Sequence, residues 1–94
     1  MGPMDEDVLM FVDWLAEDRG VIVAPQQVRP CALTVREILR LWRPVSVPQK
    51  LRAGDTMRPG WDVTMFSGWR RGGGLGLRLV FVVDFGEWRG IVVV

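Results

Sequence analysis

The stretch Leu75-Gly76-Leu77-Arg78-Leu79-Val80-Phe81-Val82-Val83-Asp84-Phe85-Gly86-Glu87-Trp88-Arg89-Gly90-Ile91-Val92-Val93-Val94 decides the fold. Leu75, Leu77, Leu79, Phe81, Val83 and Phe85 recur at every second position, the period of a strand with one buried side. Gly86-Glu87 then suits a two-residue type II′ turn, which takes Gly first. Pairing Phe85 with Trp88 across that turn sets Asp84 opposite Arg89, Val82 opposite Ile91, Phe81 opposite Val92 and Val80 opposite Val93. Opposite charges and β-branched residues meet, as cross-strand pairs favour.

Working back from this hairpin, Trp61, Val63, Met65 and Trp69 alternate with Asp62, Thr64, Phe66 and Gly68. That is a third strand. The loop Arg70-Arg71-Gly72-Gly73-Gly74 follows it, and joining Trp69 to Leu75 sets Met65 beside Leu79 and Val63 beside Phe81. The same register puts Phe66 beside Arg78 as a cation–π pair. Residues 61–94 thus read as a three-stranded antiparallel meander.

The register places Phe66, Val80, Val82, Ile91 and Val93 on the face opposite the stronger apolar stripe. A sheet with one wet face would show polar residues there. Two short helices hardly cover both faces, so these five residues are the expected protein interface, because large exposed apolar patches are rare on monomers. Ile91-Val92-Val93-Val94 also lacks the Lys, Pro or bulge that guards an edge strand.

The N-terminal half, residues 5–43, reads as helical. Met4, Val8, Phe11, Val12 and Leu15 share one helical stripe within Asp5–Asp18, with acids in the first turn and Gly20 as the stop. Leu9, Met10, Trp14 and Ala16 lie off that stripe, so the helix is expected to be covered on more than one side. Val21–Ala24 could form a short fourth strand, with Pro25–Pro30 as a loop. Thr34 and Glu37 form a capping box, flanked by Leu33 and Ile38 as a hydrophobic staple. The second helix is expected to run to about Arg43, before Pro44, with Val35, Ile38, Leu39 and Trp42 inward. The expected fold class is therefore α+β, two N-terminal helices packed on the meander, in a single domain spanning 1–94. The first four residues are taken as disordered or foreign to the native chain.

Length and composition agree. Ninety-four residues allow one domain, and 49% apolar content with five Trp and four Phe excludes disorder. No uninterrupted apolar run exceeds five residues, too few to span a bilayer, so no membrane partner is expected. The first eighteen residues hold six acids and no base, the wrong sign for a targeting peptide, which points to a cytoplasmic protein.

The chemistry-bearing side chains are few. There is no His, Tyr or Asn, and one Cys, so neither the commonest general base nor a thiolate metal set is present. Cys31 has no disulfide partner in the chain and reads as a small buried thiol. No enzyme, cofactor or metal is expected. Eleven Arg against one Lys suggests GC-rich coding, and a small factor without catalytic residues would suit a viral or phage accessory protein.

Three local motifs compete for a functional meaning. Asp84-Phe85-Gly86 spells the magnesium-binding triplet of protein kinases, but the chain is far too short for that fold and a hairpin turn explains it. Gly72–Gly74 leads into a strand rather than a helix N-terminus, unlike a phosphate loop. Trp69, Arg70 and Arg71 with Arg78 make a basic hairpin tip beside an aromatic, and Arg36, Arg40 and Arg43 line the second helix. Together they form the alternative surface, one for nucleic acid or another partner. A winged helix would need a third helix near Val47–Ala53, which three Pro and two Gly in Pro44–Gly60 oppose. The charges segregate, with −6 over residues 1–18 and +7 over the rest, and pairing of the arginines with the first helix would cancel that field. The leading reading is a non-enzymatic interaction protein that forms a homo-oligomer, most simply a dimer, or grips a protein target through the apolar sheet face.

Overall fold

The computed structural model of the chain describes residues 3–51, 58–73 and 76–94. Its radius of gyration of 12.7 Å is close to the ~13 Å of a compact 100-residue domain. The elements are α1 (Pro3–Trp14), β1 (Val28–Pro30), α2 (Val35–Leu41), β2 (Trp42–Pro44), β3 (Gln49–Leu51), β4 (Asp62–Arg70), β5 (Arg78–Asp84) and β6 (Arg89–Val93). A π-helical turn, Leu15–Arg19, extends α1, and Gly20 closes it at φ +66°, as its place after Arg19 implied.

The expected α+β class with two helices holds, but the three-stranded meander does not. Among the described residues the sheet has six strands, all paired antiparallel, in the order β1-β6-β5-β4-β2, with β3 also on β4. β4, β5 and β6 are only its centre. β2 pairs with the Gly68–Arg70 end of β4 and β3 with the Val63–Met65 end. Between them the chain bulges, and Ser46 is its fastener. Its Oγ accepts from Ser67 N–H at 2.7 Å, while Ser67 O accepts from Val45 N–H at 2.9 Å. No third helix forms near Val47–Ala53 among the described residues, since Gln49–Leu51 is strand.

The β5–β6 register is the expected one: Asp84 faces Arg89, Val82 Ile91, Phe81 Val92 and Val80 Val93. The turn is closed by Phe85 N–H donating to Trp88 O at 2.8 Å, with Gly86 at φ +91°. The β4–β5 register differs by two residues: Met65 faces Phe81, Val63 faces Val83, and Phe66 faces Val80. Arg78 therefore lies opposite Gly68, and the cross-strand Phe66–Arg78 pair does not form. A two-residue shift preserves which face each side chain takes, so both apolar sets survive it. β5 starts at Arg78, leaving Leu77 exposed, while Leu75 lies outside the described residues.

Val21–Ala24 is not a strand. Val23 is buried and Ile22 exposed, an alternation any extended segment shows, but the partner of β6 is Val28–Pro30, inside the stretch expected to be loop. β1 hence covers the terminal strand, with Val28 opposite Val92, and β6 is not the unguarded edge it seemed. Of the edge strands, β1 and β2 carry Pro30 and Pro44, which have no N–H to offer an incoming strand, and β3 carries the exposed Lys50.

α2 ends at Leu41, two residues before the expected stop, and Trp42 opens β2 in an extended conformation (φ −120°, ψ 142°). Its capping box forms as expected: Thr34 Oγ1 accepts from Glu37 N–H and Glu37 Oε2 accepts from Thr34 N–H, both at 3.2 Å.

Each helix covers one face, so the domain has three layers. Phe11, Trp14 and Leu15 pack with Val63, Phe81, Val83 and Val92. Around them Phe11 meets Trp61, Phe81 and Phe85 edge-on at 5.8–6.4 Å, and Phe85 stacks on Trp88 at 5.4 Å. Trp14 is buried although it lies off the expected stripe, and Leu9 stays half exposed, so α1 is covered on one side rather than several. On the other face Ile38 and Trp42 pack with Phe66, Val80 and Val82.

Candidate functional site

The helix on that second face decides where a partner could touch the protein. Of the five residues expected at the interface, Phe66, Val80 and Val82 are 1%, 0% and 8% exposed beneath α2. Ile91 and Val93 are only half-buried, at the margin of the same cluster. They remain as the floor of an open groove of about 800 Å3.

The groove runs between α2 and the β1–β6 side of the sheet. Leu33, Ile38, Leu41 and Trp42 form its α2 wall. Arg29 from β1, Arg70 from β4 and Arg78 from β5 stand around it, with Gln27 and Cys31 at one end. Strand alternation explains the convergence. Arg29 is the partner of Ile91, Arg78 lies two residues before Val80, and Arg70 is the partner of Trp42, so all three share the face of α2. None of the residues lining the groove is an acid.

The other arginines divide between two surfaces. Arg36 and Arg40 are exposed on α2, one turn apart. Arg43 lies instead in β2 opposite Trp69, so both turn to the α1 face of the sheet. They line a second shallow hollow, with Arg70 and Arg71, at the hairpin end. Trp69 is 43% exposed, whereas Trp14, Trp42 and Trp88 are all buried. The structure thus places Arg78 in the groove and Arg43, Trp69 and Arg71 in the second hollow, with Arg70 lining both.

Arg29 was missed at the sequence level. Pro25–Pro30 carries no strand period, so nothing in the sequence put Arg29 beside Ile91.

The charge segregation along the chain becomes a segregation between layers. α1 carries Glu6, Asp7 and Asp13, and its π turn Glu17 and Asp18, on one side of the sheet. The α2-side arginines lie across the sheet from them and cannot pair with α1, contrary to the simplest cancelling arrangement. Among the described residues the ion pairs to the acids of α1 and its π turn come from Arg58, to Asp7 at 2.9 Å and Glu6 at 3.8 Å, and from Arg19, to Asp18 at 3.1 Å. Arg29, Arg36, Arg40, Arg70 and Arg78 make none among the described residues.

A smaller pocket of about 400 Å3 lies at the opposite end of the α2 face. Its charges are internally matched. Asp62 and Asp84 face each other across β4 and β5, Lys50 binds Asp62 at 3.1 Å, and Arg89 binds Asp84 at 3.0 Å. Asp84 Oδ1 also accepts from Gly86 N–H at 2.8 Å, which gives the Asp84-Phe85-Gly86 triplet a structural role in the turn. No group of three His, Cys, Asp or Glu able to hold a metal occurs among the described residues, and no described helix is long and apolar enough to cross a membrane.

No protein-family model, curated protein or solved structure matches the chain.

Proposed function

We propose that the protein is a non-enzymatic interaction domain whose contact surface is the α2 side. One observation carries this reading: five arginines on that side have no acid partner among the described residues, and three of them, Arg29, Arg70 and Arg78, stand around a groove with an apolar floor. Unpaired guanidinium groups beside apolar surface suit an interface, where Arg is enriched and other charges are depleted. Phe66, Val80 and Val82 already pack against α2, so a dimer through the bare sheet face would have to displace that helix. The prolines of edge strands β1 and β2 and the exposed Lys50 of β3 do not favour strand-to-strand pairing either. The reading is therefore a heterologous partner.

Capture from a lysate of the source cells tests which side is used. An Arg36→Glu/Arg40→Glu/Arg70→Glu variant should lose a partner that the wild type retains. A Glu6→Gln/Glu17→Gln/Asp18→Asn variant on the opposite layer should keep it. The reverse pattern would move the contact surface to α1 and defeat the proposal.

A second reading, single-stranded nucleic acid at the hairpin end, has its own support. Trp69 is exposed beside Arg43 and Arg71, offering a stacking plane flanked by phosphate-binding groups. Binding there should weaken steeply as salt rises. It should also be lost in Trp69→Ala while Arg29→Ala leaves it unchanged.

A further inference from the structure

We infer that the groove between α2 and β6 docks an acidic segment of a partner protein in which carboxylates are interspersed with apolar side chains. This rests on the α2 side being the contact surface and names what that surface takes. The rim and the floor make different demands, and one ligand chemistry meets both. Arg29, Arg70 and Arg78 come from three different strands, so their guanidinium groups surround the floor rather than lying in a row along one element. Each can grip a carboxylate through two parallel hydrogen bonds. Between them lie Ile38, Leu41, Ile91 and Val93, which offer no polar group from their side chains. A purely anionic ligand would leave that floor wet, and a purely apolar one would strip water from three arginines without replacing it.

Nucleic acid fits the groove less well. Base stacking needs an open aromatic face, and the indole in the groove wall, Trp42, is 7% exposed and committed to the cluster with Phe66 and Val80. The exposed indole, Trp69, belongs to the other face. A second copy of this chain would bring its largest group of acids from α1 and the π turn, which lie on the opposite layer. That head-to-tail contact builds rings or open chains rather than a two-fold dimer.

The test is fluorescence anisotropy at low salt with four labelled probes. One is a short peptide of alternating Glu and Leu, and the others are polyglutamate of equal length, the Lys/Leu analogue, and oligothymidylate. The Glu/Leu peptide should bind about tenfold or more tightly than polyglutamate, and the Lys/Leu peptide should not bind. Arg29→Ala/Arg78→Ala should weaken the Glu/Leu peptide by about tenfold or more, since each change removes a charge-assisted hydrogen bond. Both residues are exposed, so circular dichroism should not change. Ile91→Ser should weaken the peptide without altering its salt dependence.

Equal binding of polyglutamate would reduce the groove to a charge effect and overturn the inference. Tighter binding of oligothymidylate, lost in the same double variant, would assign the groove to nucleic acid instead. A mass in light scattering that grows with protein concentration, and is cut by the double variant, would assign it to a second copy. If the lysate partner depends on the α2 side but the Glu/Leu peptide does not bind, only this inference fails. If that partner depends on α1, the underlying reading fails as well.

Discussion

Arg29 stands directly opposite Ile91 across the β1–β6 pairing, a charged and an apolar side chain side by side on one sheet face. Burying that face completely would strand the guanidinium, and exposing it completely would leave the isoleucine in water. The short α2 does neither. It seals Phe66, Val80 and Val82 and leaves Ile91 and Val93 half open beside the arginine.

Two Glu substitutions on cross-strand partners should therefore behave differently. Val82→Glu places a carboxylate in the sealed cluster, where an unpaired charge costs several kcal/mol, and the domain should unfold or melt far below wild type. Ile91→Glu lies at the open groove, within reach of Arg29, and should keep a cooperative melt. Thermal denaturation followed by circular dichroism separates them. Equal unfolding of both would mean that α2 closes over the whole face.

Gly90 is crowded in a way visible only in three dimensions. A Cβ built there would collide with Trp88 Cη2 and come within 2.6 Å of Arg29 O, so the indole fills the space of the missing side chain. Gly90→Ala should cost about 1–3 kcal/mol, as overpacking does, and push Trp88 off Phe85. Loss of stability with a red-shifted tryptophan emission checks this. An unshifted melt would contradict the packing.

The capping box on α2 predicts a coupled pair. Thr34→Ala should cost about 1 kcal/mol. Because Thr34 and Glu37 hold each other's backbone N–H, the double variant with Glu37→Ala should cost less than the sum of the two. Urea melts of the four proteins measure it, and strict additivity would mean the two bonds form independently.

Ser46 predicts an effect confined to one edge. Ser46→Ala leaves Ser67 N–H without its 2.7 Å acceptor where the chain bulges between β2 and β3. Amide exchange should speed up in β2 and β3 while β5 and β6 stay protected. Uniform acceleration would argue against a local fastener.

How far the residues alone could be read follows from how locally each feature is determined. The β5–β6 register was legible because Gly86-Glu87 is a two-residue turn, which leaves no freedom in the pairing. The β4–β5 register slipped by two because the glycine run after Arg71 does not state its loop length, although the parity of the faces survived. β1, β2 and β3 are three residues each, too short to show a period, and two of them end in Pro. The pairing partners of β1 and β2 lie 24 or more residues away, and those of β3 lie 12 to 16 residues away. Trp42 sat at helical spacing from Ile38 and Leu39, so its inward direction was right while its secondary structure was not. The covering of Val82 and the arrival of Arg29 beside Ile91 depend on α2 crossing from β1 at one edge of the sheet to β2 at the other. No local pattern encodes that path.

The measurement that bears most directly on the groove is an amide-shift NMR titration of the protein with the Glu/Leu peptide. The predicted result is saturable shifts concentrated at Arg29, Cys31, Leu41, Arg78, Ile91 and Val93, with Glu6–Asp18 unmoved. Shifts centred on α1, or on Trp69 and Arg71 with the groove silent, would contradict the account.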